Sequence, residues 1–233
     1  MLILAVDTST RTGSAAVLRD SEVLAEVSGL EETQYSTRLF RDVAALRSKA
    51  HFSLSQVDLF AIAAGPGSFT GLRVGLTAVK AWAEVHGKPI AAISGLEAIA
   101  SESPAGSSNG CLIAPFLDAR RGFVFGGVYR RANQVGATLE LISEESILPV
   151  KEFLKVVGER SSQQPILVSP TPGAIPIEEV RNILPTALIE QVPAALARSI
   201  GRLGFERARR GQVVDSVQLD ANYVRRSDAE AAS

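Results

Sequence analysis

Leu2-Ile3-Leu4-Ala5-Val6-Asp7-Thr8-Ser9-Thr10 opens the chain, and Cys111–Leu117 followed by Asp118-Ala119-Arg120-Arg121-Gly122 repeats its pattern. In each copy a short apolar run rich in strand formers stops at an aspartate and a turn follows. A second strand then returns, Ser14–Leu18 in the first copy and Phe123–Tyr129 in the second. After Arg19-Asp20-Ser21 a third strand, Glu22–Ser28, completes an antiparallel meander. A duplicated unit of this kind implies two related lobes rather than one continuous sheet.

Between the copies the period changes. From Tyr35 to His51 the spacing is helical, with Leu39, Val43, Leu46 and Ala50 on one face. Leu59–Ala64 reads as a buried strand, broken by Gly65-Pro66-Gly67-Ser68-Phe69-Thr70-Gly71. Leu72–Val85 then continues as a helix ended by Gly87 and Pro89. Ile90–Ile93 is a short strand and Leu96–Ser101 a helix. The cluster Ser103–Gly110 is the best linker, which divides the chain into lobes of residues 1–104 and 105–233. Later come a helix over Val150–Val157, a strand over Ile166–Ser169, and a helix from Pro193 to Arg210 closed by Gly211. That last helix, near 193–211, is able to pack back towards the first lobe. Alternating strands and helices give an α/β architecture. The repeated strand–Asp–turn–strand resembles the two-lobed actin, Hsp70 and sugar-kinase superfamily, an RNase H-like fold whose first hairpins face a nucleotide's phosphates.

Bulk properties narrow the function. The 233 residues are 46% hydrophobic and 21% charged, ample for packed cores. A net charge of −1 argues against a chain that grips RNA alone, because phosphate neutralisation supplies most of that affinity. The single cysteine, Cys111, excludes an internal disulfide and a multi-thiolate metal site. Leu2–Val6 is too short for a signal peptide's apolar region, and no run approaches the ~18–20 apolar residues of a bilayer span. A soluble, cytoplasmic protein with no membrane partner is expected.

Few residues suit catalysis. Asp7, followed by Thr8, Ser9 and Thr10, can hold a phosphate-bound magnesium ion or simply accept turn amides, and the second role is favoured. Asp118 and Arg120 can belong to a phosphate site or to an ordinary solvated turn. The loop Gly65–Gly71 enters a helix whose first amides favour anions. It lacks the Lys-Ser/Thr of a P-loop, however, and Ser68 or Thr70 can equally be the helix N-cap. His51 and His86 lie on different helices, with no paired spacing for a metal or a nucleophile's base. Cys111 reads as a small core residue.

The helix Leu72–Val85 is apolar nearly all round. Leu72, Leu76, Val79 and Ala83 line one face, and Val74, Ala78, Ala81 and Val85 another. Such a helix is either buried centrally or shared between a core and a partner. Gly71 and Gly75 permit close approach and Trp82 is a typical interface anchor, so Gly71, Val74, Gly75, Ala78 and Trp82 are assigned to a partner surface. The arginines of the last helix, Arg198, Arg202, Arg207, Arg209 and Arg210, read mainly as a solvated face, as do Arg225 and Arg226.

Four stretches, in order and spacing, carry a closer resemblance. They are Ile3–Thr10, Gly65-Pro66-Gly67-Ser68-Phe69-Thr70-Gly71-Leu72-Arg73-Val74-Gly75, Asp118-Ala119-Arg120 and Tyr223-Val224-Arg225, and together they resemble the bacterial TsaB (YeaZ) family. The resemblance implies the actin-like (ASKHA) fold and a subunit that is not an enzyme on its own, with no catalytic and no metal residues. It implies support of a paralogue, the transferase TsaD, which places threonylcarbamoyl on adenosine 37 of tRNAs reading codons that begin with A. The implied partners are TsaD and the ATPase TsaE, with tRNA met only through the complex and a homodimer open to the free chain. The implied contacts are the helices near 35–50 and 70–86, which adds Leu39, Val43 and Leu46 to the partner surface. Asp7, Thr8, Ser9, Asp118 and Arg120 become a vestigial phosphate site, with Mg-ATP bound weakly or only within the complex. The sequence departs from the family at Tyr35, where a histidine is usual. Two rival readings stand beside this one: an actin-like ATPase or kinase using Asp7 and Asp118 around Mg-ATP, and a peptidase.

Overall fold

The computed structural model describes residues 1–29, 35–108, 110–132, 139–161 and 163–222. In chain order the elements are β1 (Leu2–Asp7), β2 (Ser14–Arg19), β3 (Glu22–Ser28), α1 (Tyr35–Ala50), β4 (Leu59–Gly65), α2 (Phe69–His86), β5 (Ile90–Ser94) and α3 (Gly95–Ser101). They continue with β6 (Leu112–Arg120), β7 (Phe123–Arg131), β8 (Leu139–Pro149), α4 (Val150–Arg160), β9 (Ile166–Ser169), α5 (Ile177–Ile183), β10 (Leu188–Gln191) and α6 (Ala197–Arg209). Two compact units result, one of Met1–Ala98 with Ala194–Asn222, the other built on Ile99–Pro193.

The first unit's sheet runs β3-β2-β1-β4-β5, with β1, β2 and β3 antiparallel and β1, β4 and β5 parallel. The second unit's sheet runs β8-β7-β6-β9-β10 in the same sense of pairing. The duplication legible in the first hairpins therefore extends to whole sheets. Three elements gave no clear signal in the sequence: β8, α5 and β10. Each is short or amphipathic, and the strands among them lie at or near a sheet edge, where the apolar run that marks a central strand is absent.

β1 reads as an unbroken apolar run because both of its faces are covered. Leu4 and Val6 join Phe60 and Ile62 under α1 and α2. The alternate residues Ala5, Ala61 and Ala91 face α6, whose Gly201 and Gly204 lie so close that an added β-carbon would collide with Leu18 or Ala61. Large side chains on one face and small ones on the other set two different spacings of helix from sheet. α6 starts at Ala197 rather than at the expected Pro193; Leu196 precedes it without a side-chain cap. Ser14 of β2 supplies the missing acceptor, its Oγ taking the Ala197 amide at 3.0 Å.

Arg202, Arg209 and Arg210 of α6 are exposed, as a solvated face requires, whereas Arg198 and Arg207 are partly buried, and all five make contacts within the chain. Arg198 pairs with Glu26 at 3.3 Å, Arg207 with Glu97 at 2.8 Å, and Arg202 donates from Nε to the Ser21 carbonyl at 3.3 Å. Arg209 and Arg210 reach Glu206 at 3.6 and 3.9 Å. Each contact of this exposed kind contributes about 0–1 kcal/mol, so their main effect is to fix how α6 lies on the sheet.

In the second unit α4 buries Val150, Phe153, Leu154 and Val157 against Phe116, Val124 and Val128. Phe153 sits directly on Gly126 of β7, where any β-carbon would strike its ring. Cys111 lies just ahead of β6, half-buried, with Sγ 3.8 Å from the Ala105 carbonyl; it is a turn residue, not a strand-interior one.

Gly75 of α2 is one of the demanding packing positions. An alanine there would drive its methyl into Thr8 Oγ1 and Ile62, and Thr8 cannot swing away without losing its 2.7 Å hydrogen bond to the Gly71 carbonyl. Gly75→Ala is expected to lower unfolding free energy by about 1–3 kcal/mol. Gly173→Ala, with nothing within 4 Å of the added methyl, should change it by under about 0.5 kcal/mol. Urea titration of both variants makes the comparison.

Candidate functional site

The turn after β1 folds onto its own aspartate. Asp7 is buried, and its Oδ1 accepts the Ser9 amide at 2.8 Å and the Ser9 hydroxyl at 2.6 Å. Its Oδ2 accepts the Thr10 hydroxyl at 3.3 Å, and Thr10 Oγ1 in turn accepts the Gly13 amide at 3.3 Å. Burial pushes the Asp7 carboxyl above its ordinary value of 3.8, against the pull of the Ser9 and Thr10 hydrogen bonds and the charge of Arg38.

Arg38 of α1 is the residue that the sequence did not single out. Its buried guanidinium donates to the carbonyls of Arg11, Thr12 and Gly13, and its Nε lies 3.3 Å from Asp42. One side chain thus holds the whole β1–β2 turn closed. The available signal was an Arg–Asp pair at i,i+4 beside an apolar helix stripe.

The glycine loop closes on the same turn. The Ser68 amide donates to the Ser9 carbonyl at 2.7 Å, and a β-carbon on Gly67 would collide with that carbonyl. Ser68 is the N-cap of α2, accepting the Gly71 amide at 3.3 Å, while the Ser68 carbonyl takes the Leu72 amide. The helix therefore starts at Phe69, a turn before the Leu72 suggested by the hydrophobic period. Three of the amides that would cradle a phosphate are already engaged, those of Ser68, Gly71 and Leu72. Asn222, past the end of α6, adds its amide to the Ala64 carbonyl at 2.7 Å, and its carbonyl fills the space beside Gly65, whose φ is 127°.

Asp7, Thr8 and Ser9 thus come together with the glycine loop. Asp118 and Arg120 lie in the second unit and form a turn of their own, Asp118 Oδ1 accepting the Arg120 amide at 2.7 Å. His51 is exposed at the end of α1 with φ 51°, and His86 ends α2. No group of three His, Cys, Asp or Glu among the described residues is arranged to hold a metal ion. No helix among them is long and apolar enough to cross a membrane.

The proposed partner surface needs correction. Leu39, Val43 and Leu46 point into the core, not outward, and Gly71, Gly75 and Ala78 are buried as well. The glycines serve the approach of α2 to Thr8 and Ile62 within the chain. Val74 and Trp82 are partly buried. Trp82 lies between the buried Phe60 ring, 6.1 Å away, and the ring of Phe40 at 6.0 Å, which is 56% exposed. Alongside them Ala81 is exposed and Val85 is 78% exposed. The outward apolar stripe is Phe40, Val74, Ala81, Trp82 and Val85. Phe40 was legible as an aromatic residue out of phase with the Leu39–Val43–Leu46 stripe. The Tyr35 side chain and Tyr223, Arg225 and Arg226 lie outside the described residues.

Comparison with known proteins settles the family. The model of the tRNA N6-adenosine threonylcarbamoyltransferase (TsaD) family matches residues 27–180. The TsaB protein of Bacillus subtilis is 29% identical over 231 residues, covering 99% of this chain and 97% of that protein. The chain belongs to the TsaB (YeaZ) branch of that family. YeaZ from Pseudomonas aeruginosa has the same fold, with a TM-score of 0.74 at 24% identity over 95% of this chain and 99% of that one. A ROK-family protein from Streptococcus pneumoniae, TM-score 0.51 at 9% identity over 91% and 100% of the two chains, shares the wider actin-like fold. TsaB belongs to the biosynthesis of threonylcarbamoyladenosine (t6A) in tRNA.

The Asp7 turn yields a pH-dependent expectation. A folded carboxyl that holds its proton to higher pH than the unfolded one takes up a proton on folding in the window just above 3.8, so its contribution to stability falls as pH rises through that window. Asp7→Asn keeps the acceptor for Ser9 and removes the buried charge. Its melting temperature at pH 7 should equal or exceed that of the native chain, with the advantage shrinking as pH is lowered towards 4. Thermal melts across pH 4–8 check this, and a large loss of stability at pH 7 contradicts it.

Proposed function

We propose that this chain is a non-catalytic subunit of t6A synthesis, binding a TsaD-type transferase and, with a TsaE-type ATPase, supporting transfer to adenosine 37 of tRNAs that read codons beginning with A. The observation that carries the reading is the apolar stripe on α1 and α2. Phe40 and Val85 lie well out in solvent on helices that already have a full buried face, and Trp82 ties them to the core. Aromatic and aliphatic residues clustered on one face and backed by a buried anchor are what a protein partner's core contact requires. The family model's description, a threonylcarbamoyltransferase of tRNA, supports a paralogue as that partner.

The same reading gives the chain no tightly held nucleotide. Asp7's oxygens are met by Ser9 and Thr10, and the amides of Ser68, Gly71 and Leu72 are engaged within the chain. Magnesium and ATP would have to break this network to bind. Differential scanning fluorimetry of the isolated chain should show no upward shift with Mg-ATP, whereas a clear shift would favour the ATPase or kinase reading.

Val85→Glu and Phe40→Glu place a charge on the stripe away from the core. Val85→Glu should leave stability within about 0.5 kcal/mol of the native chain. Either substitution should weaken association with the transferase by at least about tenfold. Trp82→Glu should weaken association and also lower stability, losing its packing on Phe60 as well as the partner. Calorimetric titration with purified transferase reads the affinities; native-like binding by Phe40→Glu and Val85→Glu would remove this surface from consideration.

A further inference from the structure

The β6–β7 hairpin carries residues that its backbone disfavours. Arg120 pairs with Phe123, so Arg121-Gly122 is a two-residue loop. The φ angles of 54° at Arg121 and 78° at Gly122 are those of a type I′ turn, and Arg120 ahead of it is left-handed too, at 65°. Turns of this type favour Asn, Asp or Gly at the first loop position, because those side chains tolerate the left-handed region. A long side chain branching from a left-handed Cα is strained. The conformation is nonetheless enforced. Asp118 Oδ1 holds the Arg120 amide at 2.7 Å, and the Gly122 carbonyl accepts the Val150 amide at 3.0 Å, locking the turn to the start of α4.

The two guanidiniums do nothing for the fold in return. Both residues are exposed, and neither side chain has a hydrogen bond or ion pair among the described residues. This contrasts with Arg38, Arg198, Arg202 and Arg207, all engaged within the first unit. Beside the pair, Phe123 is 41% exposed at the start of β7. Asparagine and glycine would build this turn better, so the presence of two arginines and an open aromatic ring at its tip calls for a ligand.

We propose that the tip Arg120-Arg121-Gly122-Phe123 is an RNA contact, with the two guanidiniums on backbone phosphates and the Phe123 ring offered to an unstacked base. Planar forks match phosphate oxygens two at a time, and single-stranded RNA is recognised by stacking on aromatic rings next to such cations. The inference rests on the chain's place in t6A synthesis, where the modified molecule is a tRNA. With a net charge of −1, the chain would add a local contact to the complex's grip on tRNA rather than bind it alone.

The test uses the full chain assembled with its transferase, first titrating the two proteins and then adding fluorescent tRNA over a range of salt concentrations. The double variant Arg120→Asn/Arg121→Asn should melt at or above the native temperature and join the transferase with native affinity. Its complex should bind tRNA roughly tenfold more weakly, and the slope of log affinity against log salt should become shallower by about 1.4–1.8. Arg120→Lys/Arg121→Lys should keep the native slope. Native tRNA affinity and slope in the Asn variant overturn the proposal and leave the subunit reading intact. Loss of transferase binding by the Asn variant also overturns it, assigning the tip to a protein contact. A native chain that fails to join the transferase in the first titration sinks the subunit reading, and this inference with it.

Discussion

The contact between the Asp7–Ser9 turn and the N-terminal end of α2 is the constraint on which the first unit depends. Ser9 gives its carbonyl to the Ser68 amide, Thr8 gives its hydroxyl to the Gly71 carbonyl, and Asp7 receives the Ser9 amide and hydroxyl. Gly67 and Gly75 are glycine because the turn occupies the space their side chains would need. Arg38 closes the turn from the α1 side, so both helices are set by one cluster of hydrogen bonds. The direction of α2, and with it the placement of Val74, Ala81, Trp82 and Val85, follows from that cluster. A buried network that is fully satisfied specifies one arrangement more sharply than apolar packing does.

The same contact bears on chemistry. The β1–β2 turn and the loop leading into α2 both carry backbone amides of the kind that bind anions. Here those groups are directed at each other, and the aspartate that would face a metal ion accepts the hydroxyls of its own turn.

Much of this was legible in the sequence, for identifiable reasons. Buried strands announced themselves as apolar runs, Gly87 and Gly211 marked helix ends with left-handed φ of 60° and 68°, and the repeated strand–Asp–turn–strand gave the duplication that the two sheets display. The outward face of α2 was not legible, since a helix apolar all round does not say which side meets the sheet. The close approaches decide it: Gly71 and Gly75 fit against Thr8, which puts Val85 outside and leaves Val74 partly exposed. Arg38 was hidden because its role is to bind three carbonyls, and carbonyls leave no mark in a sequence. The long-range contacts of the α6 arginines were hidden for a related reason. Their partners Glu26, Glu97 and Ser21 are far away in the chain, and only the fold brings them together.

The central claim is that the chain contributes binding and not chemistry. Its most direct test is formation of threonylcarbamoyladenosine on tRNA in a system reconstituted from a TsaD-type transferase, a TsaE-type ATPase and the synthase that makes threonylcarbamoyl-adenylate, with and without this protein. The account predicts product only when the chain and the transferase are both present. Equal product in the absence of the chain, or product from the chain without the transferase, would contradict it.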